Sequence, residues 1–330
     1  MTATTHAPRA TPKQKSNTTK GSLVKVVVSE DLGKWVSPAT GSSFSIDASA
    51  QIPAIEFQME TAQSAPYKWS WSLVWIAKVS GLRESTKRGS TLKTFRIAGG
   101  FESGDKAWVA SVGGVMGGRL SVEVSAGTET FRRAVHVKGT NPSRSDVEAL
   151  LATMPNVEGF DTILAQESHF KNFIDADGQP IVAFDRGYGM TQMTNPPPTF
   201  EQAWNWKENI RGGVALYQAK QNAAKSYLSQ SGRTYSAEQL RLETWSRWNG
   251  GGYHVWDPST KSWARNDDML CDVQTGNIGW DISETENSGH TEAELHARDA
   301  STYKNPKKDK GAENKWKYTG VCYADHLNGH

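Results

Sequence analysis

Hydrophobic and polar positions along the chain follow two periods, and the switch between them comes before its midpoint. In the first part they alternate one by one. Ile55, Phe57 and Met59 alternate with Glu56 and Gln58. Trp69, Trp71, Leu73, Trp75, Ala77 and Val79 take every second place in a longer run, and Leu120, Val122 and Val124 do so again. A period of two puts such residues on one side of a strand. Gly99-Gly100, Gly113-Gly114 and Gly117-Gly118 supply turn residues between the runs. The pattern predicts an all-β sandwich over 22–139, immunoglobulin-like in outline, serving as a docking, glycan-binding or spacer module. Ahead of it, residues 1–21 are rich in Thr, Lys, Ala and Pro, the composition of a disordered tail.

A Gly-Thr-Asn-Pro-Ser segment from Gly139 ends the last alternating run, and beyond Arg144 the period lengthens to that of a helix. Ser145 with Glu148 reads as a capping box opening a helix that carries Val147, Leu150 and Leu151 and stops before Pro155. A second helix carries Phe160, Ile163, Leu164 and Glu167. Trp204 and Trp206 precede a long helix with Ile210, Val214, Tyr217, Gln221, Ala224 and Leu228 in one stripe. A shorter helix from Ala237 ends at Asn249-Gly250-Gly251-Gly252, where consecutive glycines cannot sustain it. The expectation is a second, mainly α domain over 140–330. Past Trp256 the pattern assigns no element.

Glu167 lies at i+7 from Phe160, in line with residues that a helix buries. Desolvation disfavours a charged carboxyl, so a glutamate there tends to keep its proton, as a general acid must. The plainer alternative is that the helix ends at Glu167 and its side chain turns to water.

Downstream residues favour the acid. Glu167-Ser168-His169-Phe170 is followed by Gly189-Met190-Thr191-Gln192, then Asn209-Ile210-Arg211-Gly212-Gly213, then Trp248-Asn249-Gly250. This order resembles the lysozyme-like superfamily, goose-type lysozymes and soluble lytic transglycosylases above all, over roughly residues 145–255. Trp248 and Thr191 depart from it, standing where that superfamily usually has Tyr and an apolar residue. The resemblance implies a lysozyme-like fold and a muramidase acting on the β-1,4 bond between N-acetylmuramic acid and N-acetylglucosamine. It implies Glu167 as the acid and, among Asp175, Asp177 and Asp185, Asp185 as the preferred second carboxylate. Tyr188, Gln192, Tyr217 and Asn249 are then the substrate-binding candidates. Lytic transglycosylation of the same bond, a chitinase-like activity suggested by the Gly-x-x-Gln-x-Thr run from Gly189, and a non-catalytic wall-binding or structural role stay open.

Charge and cysteine content narrow the partners. With 37 Lys and Arg against 35 Asp and Glu, a dedicated nucleic-acid binder is not expected. Thirteen Trp serve cores and sugar platforms alike. Cys271 and Cys322 fit no metal-ligand spacing and either pair or stay free. Asp175-Ala176-Asp177-Gly178 lacks the further ligands of a calcium loop and reads as a turn, so neither metal nor cofactor is expected. No run is long enough for a membrane span, and the first residues carry no signal-peptide core. A wall enzyme of this kind is expected to reach the periplasm or cell wall of a target cell by non-classical delivery. A type VI secretion or phage-tail apparatus would be its docking partner, and an immunity protein a further partner. The Lys-rich stretch 304–317 reads as a solvated surface, with attraction to an anionic cell wall as the alternative.

Overall fold

The computed structural model describes residues 31–82, 85–304 and 315–329. The expected disordered tail, the start of the expected β domain and most of the Lys-rich stretch lie outside them. The described residues from Asp31 onward form one compact unit.

The described residues of the first part supply eight strands: β1 (Trp35–Ser37), β2 (Ser43–Ile46), β3 (Glu56–Met59), β4 (Tyr67–Lys78), β5 (Thr91–Ser103), β6 (Ala107–Val109), β7 (Gly118–Ala126) and β8 (Glu129–Gly139). Five of them form a sheet ordered β2-β8-β7-β4-β5, in which β2 runs parallel to β8 and the other pairs are antiparallel. β1, β3 and β6 form a smaller antiparallel sheet. The alternation of β4 is set by burial: Trp69, Leu73, Trp75 and Ala77 face the core while Lys68, Ser70, Ile76 and Lys78 are exposed. Gly99 and Gly100 lie inside β5 rather than at a turn. A Cβ on Gly99 would stand 2.7 Å from the Trp71 indole, so the missing side chain seats that ring.

The second part begins with α1 (Arg144–Leu151), α2 (Phe160–Ser168), α3 (Phe200–Trp204), α4 (Trp206–Leu228) and α5 (Ala237–Trp248). The capping box of α1 sits two residues earlier than the sequence suggests, with Ser143 as N-cap and Asp146 closing it. After α5 come β9 (His254–Asp257), β10 (Ser262–Arg265), β11 (Met269–Cys271), β12 (Ile278–Asp281), α6 (Glu292–Lys304), β13 (Trp316–Tyr318) and α7 (Gly320–Asn328). β9 and β10 form a hairpin, and β11-β12-β13 a three-stranded sheet. Cys271 on β11 and Cys322 on α7 are joined in a disulfide.

This overturns the expected fold class. Helix and strand take about equal shares of the described chain, and the second part carries two small sheets among its helices, so it is not a mainly α domain. The five strands missed there are three or four residues long, too short for alternation to register. The immunoglobulin-like sandwich fails as well. Its large sheet is covered partly by the three-stranded sheet and partly by Phe173, Val182, Tyr188, Phe200 and Trp204 from the second part.

Trp75 shows how the two parts share a core. Its ring lies 5.2 Å from Phe95, 5.5 Å from Trp204 and 6.1 Å from Tyr188, and its indole N–H donates to Gln179 Oε1 at 3.0 Å. Gly117 and Gly139 permit this closeness: a Cβ on either would fall 2.2 Å from the rings of Trp204 and Phe173 respectively. Truncating a fully buried tryptophan such as Trp204 costs about 3–5 kcal/mol. A second core of α1, α2, α4, α5 and α7 is built on Phe160, Ile210, Tyr217, Trp245 and Val321.

Candidate functional site

α2 fixes the position of Glu167. Phe160, Ile163 and Leu164 have no exposed surface, and Phe160 packs against Tyr217 at 5.1 Å and Trp248 at 5.6 Å. Glu167, one turn on, is half-buried. Tyr323 of α7 donates its hydroxyl to Glu167 Oε1 at 2.7 Å, which orients the carboxyl. α7 is itself tied down by the disulfide and by Asp325, whose carboxylate accepts from Arg265 Nη2 at 2.7 Å and Tyr253 Oη at 2.6 Å.

The chain leaves α2 under strain. His169 and Phe170 take left-handed φ values of 52° and 60° in succession, a conformation that costs non-glycine residues roughly 1 kcal/mol or more each. Phe170 is held there by burial and by the Arg144 guanidinium 4.7 Å over its ring. Gln192 is likewise left-handed, at φ 49°.

Two buried asparagines then clamp the hairpin. Asn172 donates to Ala203 O at 3.1 Å and accepts from Met190 N at 3.0 Å. Asn209, on α4, accepts from Thr191 N at 2.9 Å and donates to Tyr188 O at 3.1 Å. Only glycine fits between them: a Cβ on Gly189 would lie 2.5 Å from Asn172 Oδ1 and 2.6 Å from Asn209 Nδ2. Thr191 fills the place beside Gly213, where a Cβ would lie 2.5 Å from its methyl group. The four sequence fragments therefore meet around α2.

The result is a cavity of about 570 Å³. Glu167, His169, Asp175, Gln192, Ile174 and Phe184 line it, together with Val79, Gly81 and Leu82 just past the end of β4. Gln192 Nε2 donates to Gly189 O at 2.6 Å, which fixes its amide.

The chain matches no family model, no curated protein and no solved structure.

The other candidates are placed as follows. Asp185 is exposed, is not among the cavity-lining residues, and accepts from Gly187 N at 3.2 Å within its own turn. Asp175 does line the cavity. Hydrogen bonds from Lys171, at 2.5 Å, and Asn141, at 2.8 Å, hold its carboxyl below the usual aspartate range. Asp177 caps the next turn by accepting from Gln179 N at 2.8 Å. Among the described residues no group of three or more His, Cys, Asp or Glu side chains is arranged to hold a metal ion. Among the same residues no helix is long and apolar enough to cross a membrane.

Tyr188 and Tyr217 are buried, with burial raising both phenols above the ordinary tyrosine value. Tyr217 donates to Glu158 O at 2.7 Å and so braces the start of α2. Asn249 follows α5 as its C-cap, with a buried Nδ2 that has no hydrogen-bond partner among the described residues. Tyr323 and Asn172 were not singled out from sequence. Tyr323 meets Glu167 across 156 residues and sits in no recognisable motif; its only signal is the neighbouring Cys322.

Proposed function

We propose that the protein is a glycosidase of lysozyme type that cuts the β-1,4 bond between N-acetylmuramic acid and N-acetylglucosamine in peptidoglycan. The observation that carries this reading is Glu167, a half-buried carboxyl oriented by Tyr323 at the wall of a substrate-sized cavity. Breaking a glycosidic bond needs a proton for the leaving oxygen and support for the oxocarbenium ion that develops. Glu167 supplies the proton. Asp175, kept ionised by Lys171 and Asn141, is the negative charge on the same lining. Gln192 presents an amide to sugar hydroxyl or N-acetyl groups. Strained backbone at His169, Phe170 and Gln192 supports the same place, since such strain gathers where geometry is held for function. The disulfide suits an oxidising compartment, such as the periplasm of a target cell reached by delivery from outside.

Lytic transglycosylation is the second reading. It needs no second carboxylate, and it is favoured by Asp185 standing off the cavity lining and by Asp175 being matched by Lys171.

Glu167→Gln tests the proposal. On purified cell walls it is expected to lower activity by at least about 10²-fold with the fold intact. A folded Glu167→Gln protein with full activity would sink it. Mass spectrometry of the products separates the two chemistries, an anhydro-muramyl end marking the transglycosylase and a reducing end the hydrolase. Colloidal chitin as a parallel substrate tests the chitinase alternative.

A further inference from the structure

A second cavity, of about 480 Å³, adjoins the first; Val79 and Ile174 line both. Its chemistry differs. Lys78, Arg88, Arg119 and His136 line it, against the single carboxylate of Asp177, which already accepts from Gln179 N at 2.8 Å in its own turn. The placement follows from strand register. His136 on β8 stands opposite Arg119 on β7, and Arg119 opposite Val74 on β4, so the three form one row on one face of the sheet. Lys78 lies four residues beyond Val74 on the same face of β4. Arg88 comes from the β4–β5 connection. A Cβ on Gly81, which lines the Glu167 cavity, would stand 2.6 Å from Arg88 Cβ, so Arg88 packs against the wall of the first cavity while lining the second. Among the described residues no ion pair is formed by Lys78 or Arg88.

We propose that this cavity binds the carboxylates of the peptide stem borne by the glycan strand that is cut at Glu167, an inference that rests on the glycosidase reading. A stem hangs from the muramic acid residue, the sugar at the bond cleaved, and carries several free carboxylates. A strand seated beside Glu167 sends that peptide sideways, and the adjoining cavity is where cations meet it. Chitin has no such group, so the site also selects wall over chitin. The end of β4 and the β4–β5 connection thereby read the substrate. Charge-assisted bonds from guanidinium and ammonium to carboxylate suit this task.

The experiment compares cleavage of strands with stems intact and of the same strands stripped of stems by an amidase. The full chain is expected to prefer intact strands by about fivefold or more, and Lys78→Glu with Arg88→Glu to bring the ratio near one. Lys68→Glu is the control, on the same face of β4 but about 30 Å along the strand, and keeps the preference. A wild-type ratio of one, or a ratio untouched by the double variant, overturns the proposal. Calorimetric titration with an isolated stem tetrapeptide needs no cleavage and decides independently of Glu167. Binding that the double variant loses is the expected result. No peptide binding, or binding only of a phosphate-bearing wall polymer, overturns the cavity assignment. Failure of the glycosidase reading shows separately, as full activity in Glu167→Gln.

Discussion

Two glutamates on helices that both pack against α7 have opposite surroundings. Glu243, on α5, has no exposed surface and is surrounded by donors. Its Oε2 accepts from Tyr253 N at 3.0 Å and His254 N at 3.0 Å and lies 3.1 Å from His254 Nδ1, while Arg247 Nη2 stands 2.7 Å from Oε1. Burial alone would raise its pKa. The hydrogen bonds from His254 and Tyr253 and the charge of Arg247 more than offset this and hold it below the ordinary glutamate value. Glu167, at the end of α2, is half-buried at a cavity wall with Tyr323 on one oxygen. A carboxylate enclosed by protein donors ties structure together, here the Gly250–Gly252 turn that returns the chain from α5 to β9. A carboxyl at a cavity wall is placed to act on what enters it. Burial by itself therefore does not mark an acid.

The largest expected effect breaks the structural side of that contrast. Glu243→Ala strands the Arg247 and His254 side chains and two backbone N–H groups, and should cost about 3–5 kcal/mol in denaturant unfolding. Glu167→Gln should change stability by less than about 1 kcal/mol while removing activity. Equal stability losses in the two variants would erase the distinction. The pH dependence sharpens it. The folded pKa of Glu243 is depressed, so its contribution is fully present above the unfolded value near ~4.3 and is lost as pH falls through the folded value. Wild-type stability should thus drop below about pH 4, with a component that Glu243→Gln lacks.

Next in size is the tie between α7 and the candidate acid. Tyr323→Phe removes the hydroxyl that donates to Glu167 Oε1, a bond worth about 0.5–1.5 kcal/mol. As a positioning residue it should lower kcat about tenfold with KM unchanged. A loss of thermal stability with kcat intact would make Tyr323 a structural tie, like the partners of Glu243.

Sequence and structure agree where the signal is local. The helical period carries α1, α2, α4 and α5, while Phe160, Ile163 and Leu164 go into the core and Glu167 lines the cavity. Gly189 and Asn209, picked out through the superfamily resemblance, lie against one another: a Cβ on Gly189 would stand 2.6 Å from Asn209 Nδ2, which donates to Tyr188 O. What sequence cannot show is closure across distance. Asn172 acts through Ala203, Met190 and Asn141, and Tyr323 through a helix far down the chain. Gly139 reads as a domain boundary because the strand period ends there. In space it is where Phe173 enters the sheet's core, so the apolar interior runs across that position. A 140–330 fragment would leave Phe173, Trp204 and Tyr188 without the Trp75 side of their core.

The smallest expected effect concerns the aspartates, and it decides the mechanism. In Asp185→Asn the amide oxygen can still accept from Gly187 N, so the turn survives and stability should stay within about 0.5 kcal/mol. Because Asp185 stands off the cavity lining, activity on purified wall is expected within about twofold of wild type. Asp175→Asn loses an exposed ion pair with Lys171, about 1 kcal/mol at most, yet removes the charge that shares the lining with Glu167. A loss of about 10²-fold there, with reducing-end products, identifies a hydrolase that uses Asp175. Mild effects in both variants, with anhydro-muramyl products, identify a transglycosylase with one working carboxyl. A large loss in Asp185→Asn with unchanged stability would instead mean that the 183–187 turn swings over the cavity when the glycan binds.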